Sequence, residues 1–256
     1  MSTLWVALPA YNEERSLPNL LERYVALRPV IERRGAKLRM LVVDDGSTDG
    51  TIAAAERFKG RLDLEVLRHE VNRNLGAGLR TGLTGALARC ADGDVIGTMD
   101  ADNTHDPALF PRMWDVLEAE RADVVIASRY APGGDEVGLT PLRKVLSRGA
   151  SFLLTMVTNV PGARDYTCGF RLYRASTLRR ALAAWGDRLI EEAGFTCMAE
   201  LLVKLGLGGA RVREAPLVLR YDLKEGASKM KVMRTITRYF AMAQRVRSNP
   251  VPRIAD

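Results

Sequence analysis

The chain has 256 residues, 47% of them hydrophobic, and a net charge of +7. This length can bury a sizeable core. The longest apolar run, residues 150–157, is far shorter than the roughly 20 residues that span a bilayer. No charged-then-apolar secretion signal opens the chain, and its three cysteines lack the spacing of a disulfide framework or a metal site. We therefore expect a cytoplasmic protein, soluble or peripheral to a membrane.

The positive charge is concentrated near the C-terminus. Residues 1–210 hold 27 Lys and Arg against 27 Asp and Glu, whereas residues 211–256 hold 11 against 4. Such a segment favours phosphates on a nucleotide, a nucleic acid or an anionic membrane surface. Nucleic acid is disfavoured because no motif of the known binding modules is present. We predict one domain over residues 1–231, followed by an amphipathic basic helix and tail over residues 232–256.

Apolar runs alternate with helical patterns through the first half of the chain. Strands are predicted at residues 4–9, 38–43, 64–67, 95–99 and 123–127, and helices at 16–27, 51–58, 76–91 and 107–120. This alternation indicates an α/β fold with a mostly parallel sheet flanked by helices. Beyond residue 130, we predict a loop that serves as a lid around residues 132–134, helices at 142–159, 194–205 and 232–247, a strand ending at 174, and a strand at 210–219.

Polar clusters follow four of the predicted strands. They are Tyr11, Asn12 and Glu13 after the first, Asp44 and Asp45 after the second, Asp100 and Asp102 after the fourth, and Arg129 after the fifth. Ligands of such sheets bind beyond the carboxyl ends of the strands. Each cluster alone is also explained by turn or capping chemistry, but their joint placement predicts one binding site. Four glycines between residues 76 and 85 do not fit a dinucleotide fingerprint, and we interpret them as close packing near that site.

The segment around Asp100 and Asp102 carries the metal prediction. Residues two apart in an extended segment can point the same way, so both carboxylates could reach one cation. Divalent cations such as Mg²⁺ are held by one or two carboxylates plus substrate phosphates, which is the chemistry that a nucleotide-diphosphate donor needs. The alternative is that both residues only cap the helix that begins at Pro107.

Several motifs together resemble the family 2 glycosyltransferases of GT-A fold. They are Leu8 to Glu13, Val42 to Asp49, Met99 to Asp102 and Ser128 to Tyr130. A second set is similar to dolichol-phosphate mannose synthase and its polyprenyl-phosphate relatives, namely Gly133-Gly134, residues 143–150, residues 165–171 and Ser228-Lys229. The resemblance implies a single GT-A domain that moves a sugar, mannose from GDP-mannose above all, onto a polyprenyl or dolichyl phosphate with inversion.

The resemblance also implies roles for individual residues. Asp102, Arg129 and Arg143 are expected to be catalytic, and Asp100 and Asp102 to bind Mg²⁺ or Mn²⁺. The acceptor phosphate is expected at Arg129, Arg143 and Ser147. The expected donor-binding residues are Pro9, Tyr11, Glu13, Val43, Asp45, Asp100, Ala101, Asp102, Arg129, Arg220 and Lys229. The implied partners are a nucleotide sugar and a polyprenyl phosphate. The basic C-terminal region and the helix at 232–247 predict reversible docking at the cytoplasmic face of a membrane, with an integral membrane partner for firm docking.

One position departs from the family pattern. The ligand expected two residues after Asp102 would be Thr104, or would be replaced by Asn103, Asp106 or water. A phosphate monoester is largely dianionic at pH 7 and needs cations to position it rather than a general base.

The sequence also allows two functions other than sugar transfer to a lipid phosphate. The first is a transferase that uses another nucleotide sugar, such as UDP-glucose, and a soluble hydroxyl acceptor. Such an acceptor would require a carboxylate base, for which Glu191, Glu192 and Glu200 are the candidates. The second is a nucleotide-binding partner subunit without turnover.

Overall fold

The structure is a computed structural model that describes residues 2–223 and 232–254. Its strands are β1 Thr3–Ala10, β2 Lys37–Asp44, β3 Asp63–Arg68, β4 Val95–Thr98, β5 Val124–Ser128, β6 Asp135–Val137, β7 Arg171–Arg174, β8 Val212–Pro216 and β9 Val218–Arg220. Its helices are α1 Ser16–Arg33, α2 Thr51–Glu56, α3 Asn74–Leu87, α4 Phe110–Ala119, α5 Pro141–Thr158, α6 Ala175–Trp185, α7 Thr196–Leu207 and α8 Val232–Ser248. No helix in these two stretches is long and apolar enough to cross a membrane.

Seven strands form one sheet in the order β3-β2-β1-β4-β7-β5-β8. Neighbouring pairs are parallel except where β7 lies between β4 and β5 and is antiparallel to both. The central strands are apolar along nearly their whole length, and β1, β2 and β5 are almost fully buried. This pattern is typical of a sheet that is covered on both faces. The prediction of a mostly parallel sheet flanked by helices is confirmed.

The region after β5 differs from the prediction in two places. The predicted strand at 210–219 is divided at Leu217 into β8, which pairs with β5, and β9, which pairs with β6. The division follows Pro216, which has no N–H to continue the ladder. The predicted lid loop contains the short strand β6 and so is tied to β9 by backbone hydrogen bonds. Helix α6 was not predicted at all.

The C-terminal helix α8 packs onto the domain. Its apolar side chains Tyr239, Met242, Ala243 and Val246 are buried, and Ile254 beyond the helix is buried as well. Helix α8 contacts α7 and α5. These apolar residues of the helix are therefore part of the protein core.

Candidate active site

The predicted polar clusters lie at one edge of the sheet. Strands β1, β2 and β4 are parallel neighbours, and β5 runs in the same direction because antiparallel β7 separates it from β4. The carboxyl ends of all four strands therefore share an edge. Backbone hydrogen bonds join these ends, including that from the Asp45 N–H to the Ala10 carbonyl.

The loops after β1 and β2 are joined through Asn12. Its backbone has a φ of 53°, a left-handed conformation that asparagine tolerates better than most residues. The Asn12 N–H donates to the Ser47 hydroxyl at 3.0 Å, and the Asn12 side-chain oxygen accepts from the Thr48 N–H at 2.9 Å. This brings the predicted donor residues Tyr11 and Glu13 next to the loop of Asp45.

Asp45 is buried beside a histidine that the sequence analysis did not single out. Its Oδ1 lies 2.6 Å from His69 Nδ1 and accepts from the Arg73 N–H at 2.9 Å. The other ring nitrogen of His69 lies 2.9 Å from the Thr81 hydroxyl on α3. These contacts fix the carboxylate after β2 in one orientation at the rim of the site.

The segment after β4 contains Asp100, Asp102 and Asp106, and only one of these residues is the cap of the helical turn that follows. A 3-10 turn at Pro107–Leu109 leads into α4, and its N-cap is Asp106, whose Oδ1 accepts from the Ala108 N–H at 3.0 Å. The alternative in which Asp100 and Asp102 cap this helix is therefore wrong. Asp102 Oδ1 accepts from the Thr104 hydroxyl at 2.6 Å and from its N–H at 3.2 Å. Thr104 is thus engaged with Asp102, which identifies it as a residue that orients this carboxylate.

The second histidine, His105, is buried beside Asp100. Its Nδ1 lies 4.0 Å from Asp100 Oδ2 and has no hydrogen-bond partner among the described residues. Its Nε2 lies 3.8 Å from Cys168 Sγ, and its ring packs edge-on against Phe170. Burial lowers the pKa of His105, so the ring is neutral at pH 7.

Arg129, at the end of β5, lies at the centre of a hydrogen-bond cluster. Its Nε and Nη2 bind both oxygens of Asp165 at 2.7 Å, and Nη2 also donates to the Thr167 hydroxyl at 2.6 Å. Its Nη1 donates to Glu136 Oε1 and to Ser147 Oγ, both at 3.2 Å. A guanidinium has five N–H donors, and all five are engaged here. A phosphate could reach Arg129 only by replacing one of these acceptors.

The charges in this cluster differ in how well they are compensated. Burial opposes both charges, but the Arg129–Asp165 pair holds the pKa of Arg129 well above and that of Asp165 below the usual values. Burial raises the pKa of Glu136, and nearby Arg129 opposes this shift. Only one oxygen of Glu136 accepts a hydrogen bond from Arg129. Its other oxygen lies 4.0 Å from Arg148 Nε and has no hydrogen-bond partner within the described ranges. Glu136 thus lies between two cations, and its charge is compensated less well than that of Asp165.

The predicted acceptor residues are in part brought together. Ser147 on α5 contacts both Arg129 and the Tyr130 hydroxyl, the latter at 2.7 Å. Arg143 lies on the same helix, one turn before Ser147, and its side chain is outside the description. Lys229 lies outside the described residues. The contact between Arg129 and Ser147 joins the end of β5 to α5 across 18 positions of sequence.

Arg220 lies beside the segment of the paired carboxylates. Its N–H donates to the Thr104 carbonyl at 3.2 Å. Its guanidinium is half exposed and pairs with Asp222 at 2.7 Å. Arg220, predicted to close over the donor, therefore lies beside the segment of Asp100 and Asp102, and its guanidinium is paired with an exposed carboxylate.

The three glutamates proposed as alternative bases all form ion pairs. Glu200 is fully buried and binds Lys204 and Arg245, both at 2.8 Å, and it accepts from the N–H groups of Glu191 and Glu192. Glu191 pairs with Lys204, and Glu192 pairs with Arg245. These contacts give the three residues a structural role between α7 and α8.

Sequence reasoning missed Glu136, His69 and His105, and it did not assign a contact to Asp165. Asp165 lay within a motif of the mannose synthase resemblance, which was a usable signal. The chain contains two histidines, and both lie beside rim carboxylates, but nothing in the local pattern indicates this. Glu136 lies in a turn-rich stretch without a motif, and only the pairing of β6 with β9 brings it to Arg129.

The comparisons with known proteins agree with this architecture. The model of glycosyl transferase family 2 matches residues 5–182. The undecaprenyl-phosphate mannosyltransferase of Micrococcus luteus is 35% identical over 225 residues, which are 87% of this chain and 85% of that protein. The polyprenol monophosphomannose synthase of Mycolicibacterium smegmatis is 32% identical over 228 residues, which are 88% of this chain and 80% of that protein.

A solved structure confirms the GT-A fold. Glucosyl-3-phosphoglycerate synthase from Mycobacterium tuberculosis, crystallised with Mn²⁺, UDP and glucosyl-3-phosphoglycerate, has a TM-score of 0.69 and 19% sequence identity. The alignment covers 97% of this chain and 81% of that one. With the family match and the two relatives, it confirms the resemblance inferred from the motifs. The chain belongs to glycosyl transferase family 2.

Proposed function

We propose that the protein is an inverting glycosyltransferase that moves a sugar from a nucleotide diphosphate onto a polyprenyl phosphate, with mannose from GDP-mannose as the first donor to test. The names of the two relatives support the lipid-phosphate acceptor. The observation that carries the proposal is the Arg129 cluster, because it joins the strand-end rim to Ser147 on α5.

We assign the acceptor phosphate to the position of Glu136 in this cluster. Its carboxylate lies on Arg129 Nη1, whose two hydrogen bonds are the longest that the guanidinium makes. It also lies 4.0 Å from exposed Arg148. We infer that the acceptor phosphate replaces Glu136 at Nη1, while Asp165 keeps Arg129 in place and ionised. Arg143 and Ser147 complete this phosphate site on α5.

The chemistry at this site requires positioning rather than a general base. A phosphate monoester has a second pKa near 6 and is a dianion at pH 7, so it is already a nucleophile. Because Asp165 stays on Nε and Nη2, Arg129 would offer the phosphate the Nη1 N–H that Glu136 leaves. A charge-assisted hydrogen bond there, together with Arg143 and Ser147, would fix the direction of attack. Attack of one phosphate oxygen on the anomeric carbon breaks the bond to the departing diphosphate and inverts that carbon.

The residues after β4 fit a divalent cation. Asp100 and Asp102 are partly exposed at the rim and offer hard oxygen donors, and Thr104 orients Asp102. No group of three or more metal-ligating side chains is found in the described part of the chain, so substrate phosphates would have to complete the coordination of such a cation. When bound, Mg²⁺ or Mn²⁺ would neutralise the departing nucleoside diphosphate. The Mn²⁺ and UDP in the crystallised synthase support this assignment.

The other rim residues are proposed to bind the donor. Pro9, Tyr11, Glu13, Val43 and Asp45 would surround the nucleotide, and Arg220 and Lys229 would close over its phosphates. A polyprenyl phosphate resides in a bilayer, so we place the protein peripherally at the cytoplasmic membrane face, where an integral membrane partner would add to its docking.

A donor screen tests the proposal. Transfer from GDP-mannose and UDP-glucose is measured with Mg²⁺, with Mn²⁺ and with EDTA, with and without a polyprenyl phosphate. We expect a prenyl-linked sugar phosphate that forms only with the lipid and a divalent cation. Transfer to a soluble hydroxyl compound, with none to the lipid, would overturn the proposed acceptor.

A further inference from the structure

Helix α5 has an unusual outer face. Its inward side chains Ser151, Leu154 and Thr158 are buried at the spacing of one helix face. The outward positions would normally be polar. Instead, large apolar side chains are exposed there, Val145 by 66%, Phe152 by 64%, Leu153 by 37% and Met156 by 66%. We call these four residues the outer α5 stripe. A contiguous exposed apolar patch marks a binding surface for another apolar body.

Cations lie beside this stripe. Arg148, on the same outward side of α5, is 60% exposed. Arg247 of α8 donates to the Val157 carbonyl at the end of α5, and its residue is exposed. Apolar side chains on a helix, flanked by arginines, are typical of surfaces that lie in the interface of an anionic membrane.

The same helix also carries part of the proposed acceptor site. Ser147, which contacts Arg129 and Tyr130, lies on the inward side of α5, one turn before buried Ser151. The phosphate of a polyprenyl lipid is located at the membrane surface. A helix that lies in the interface with its outer side in the lipid would hold Ser147 near the depth of those phosphates.

We propose that the outer α5 stripe docks the protein onto an anionic lipid bilayer, with α5 lying in the membrane interface. The biological role of this docking rests on the proposed function, because docking would bring Ser147 and Arg129 close to a lipid phosphate. It assigns the contact to α5 rather than to the apolar side of α8, whose residues Tyr239, Met242 and Val246 are already buried in the protein. The cations at both helices supply the charge complementarity to anionic headgroups.

A tryptophan probe tests the docking directly. The three native tryptophans, Trp5, Trp114 and Trp185, are buried. Phe152→Trp therefore adds the exposed fluorophore on the stripe, and Val71→Trp places an equally exposed one on the loop after β3, where Val71 is 67% exposed. Vesicles of phosphatidylglycerol and phosphatidylcholine with brominated acyl chains, without polyprenyl phosphate, are added to each full-length variant.

We expect a blue shift and quenching for Phe152→Trp and neither for Val71→Trp. Equal signals from both variants, or no vesicle-induced change in Phe152→Trp, would overturn the proposal. Because no acceptor is present, this result does not depend on the proposed reaction. Quenching at residue 152 in a protein that transfers no sugar would support the docking and reject the function.

A double variant connects docking to transfer. Phe152→Ser with Met156→Ser should lower the vesicle partition constant about tenfold, equivalent to about 1.4 kcal/mol. The thermal melting temperature should be unchanged because both side chains are exposed. Transfer to long-chain polyprenyl phosphate in vesicles should fall, whereas transfer to a short water-soluble prenyl phosphate should not. If light scattering instead shows that the substitutions dissociate a dimer while vesicle binding stays constant, the stripe covers a second copy and the proposal is wrong.

Discussion

At the scale of single residues, the most direct test concerns Asp102. We expect Asp102→Asn to abolish transfer and to leave the melting temperature unchanged, because the substitution removes one of the two carboxylates that would hold the cation. The matched control is Asp106→Asn, which makes the same chemical change at the helix N-cap, where asparagine caps as well as aspartate. Steady-state transfer assays and circular dichroism measure both effects. Loss of transfer in both variants would contradict the separation of the two roles.

Glu136 gives a second prediction. Glu136→Gln removes the anion that occupies Arg129 Nη1, so we expect the acceptor KM to fall about tenfold, or about 1.4 kcal/mol, with the donor KM unchanged. The control is Glu120→Gln, which alters an exposed ion pair with Arg213. Initial rates at varied acceptor concentration provide the measurement. A higher acceptor KM would show that Glu136 positions Arg129 instead of competing with the phosphate.

Asp165 gives a prediction about stability and pH. Asp165→Asn leaves the buried Arg129 without its main partner, and we expect a loss of roughly 3–5 kcal/mol in the free energy of unfolding at pH 7. Because the folded-state pKa of Asp165 is lowered from 3.8, its contribution is complete above that pH and is lost as the pH falls through the depressed pKa.

Urea unfolding at several pH values measures this dependence. The difference between wild type and Asp165→Asn should be constant from pH 7 to pH 5 and should decrease below about pH 4. Asp115→Asn, in an exposed pair with Arg34, serves as the control and should cost at most about 1 kcal/mol. A difference that grows as the pH falls would contradict the ion-pair assignment.

At the scale of elements, α3 depends on glycine for its position against the site. A Cβ on Gly76 would lie 2.0 Å from the carbonyl oxygen of Glu192, and the Gly76 N–H donates to the Ala193 carbonyl. We expect Gly76→Ala to destabilise the protein by roughly 1–3 kcal/mol through overpacking. Gly93→Ala is the control, since a Cβ there would meet nothing within 4 Å. Equal melting temperatures of the two variants would show that the backbone at Glu192 moves away from the added Cβ at little cost in stability.

At the scale of the whole molecule, the C-terminal helix belongs to the folding unit. A chain that ends at residue 231 would lose Tyr239, Met242, Val246 and Ile254 from the core. Each fully buried apolar side chain is worth roughly 1.5–3 kcal/mol, so we expect the shortened chain to aggregate or to melt at a much lower temperature. The predicted boundary at residues 231 and 232 would then not separate two folding units. An unchanged melting temperature of the shortened chain would contradict this.

The sequence by itself determined the fold and the edge of the sheet where the site lies. Both follow from local patterns, because apolar runs that end in polar clusters recur with helices between them, and parallel strands must end at one edge. The motifs that follow β1, β2, β4 and β5 also indicated the family, and the family comparison confirmed it. These inferences needed no knowledge of which distant residues meet.

The tertiary structure alone decided which partners the site residues have. Antiparallel β7 separates β4 from β5, and no local pattern predicts that insertion. Arg129 binds Asp165 and Ser147 across 36 and 18 positions of sequence, and Glu136 reaches it only because β6 pairs with β9. The exposure of the apolar outer face of α5 likewise could not be predicted from the sequence. Helical periodicity shows that a helix has two faces but not which of them the rest of the protein covers. Long-range pairing sets these contacts, because side-chain chemistry is local but burial and partner choice depend on the packed chain.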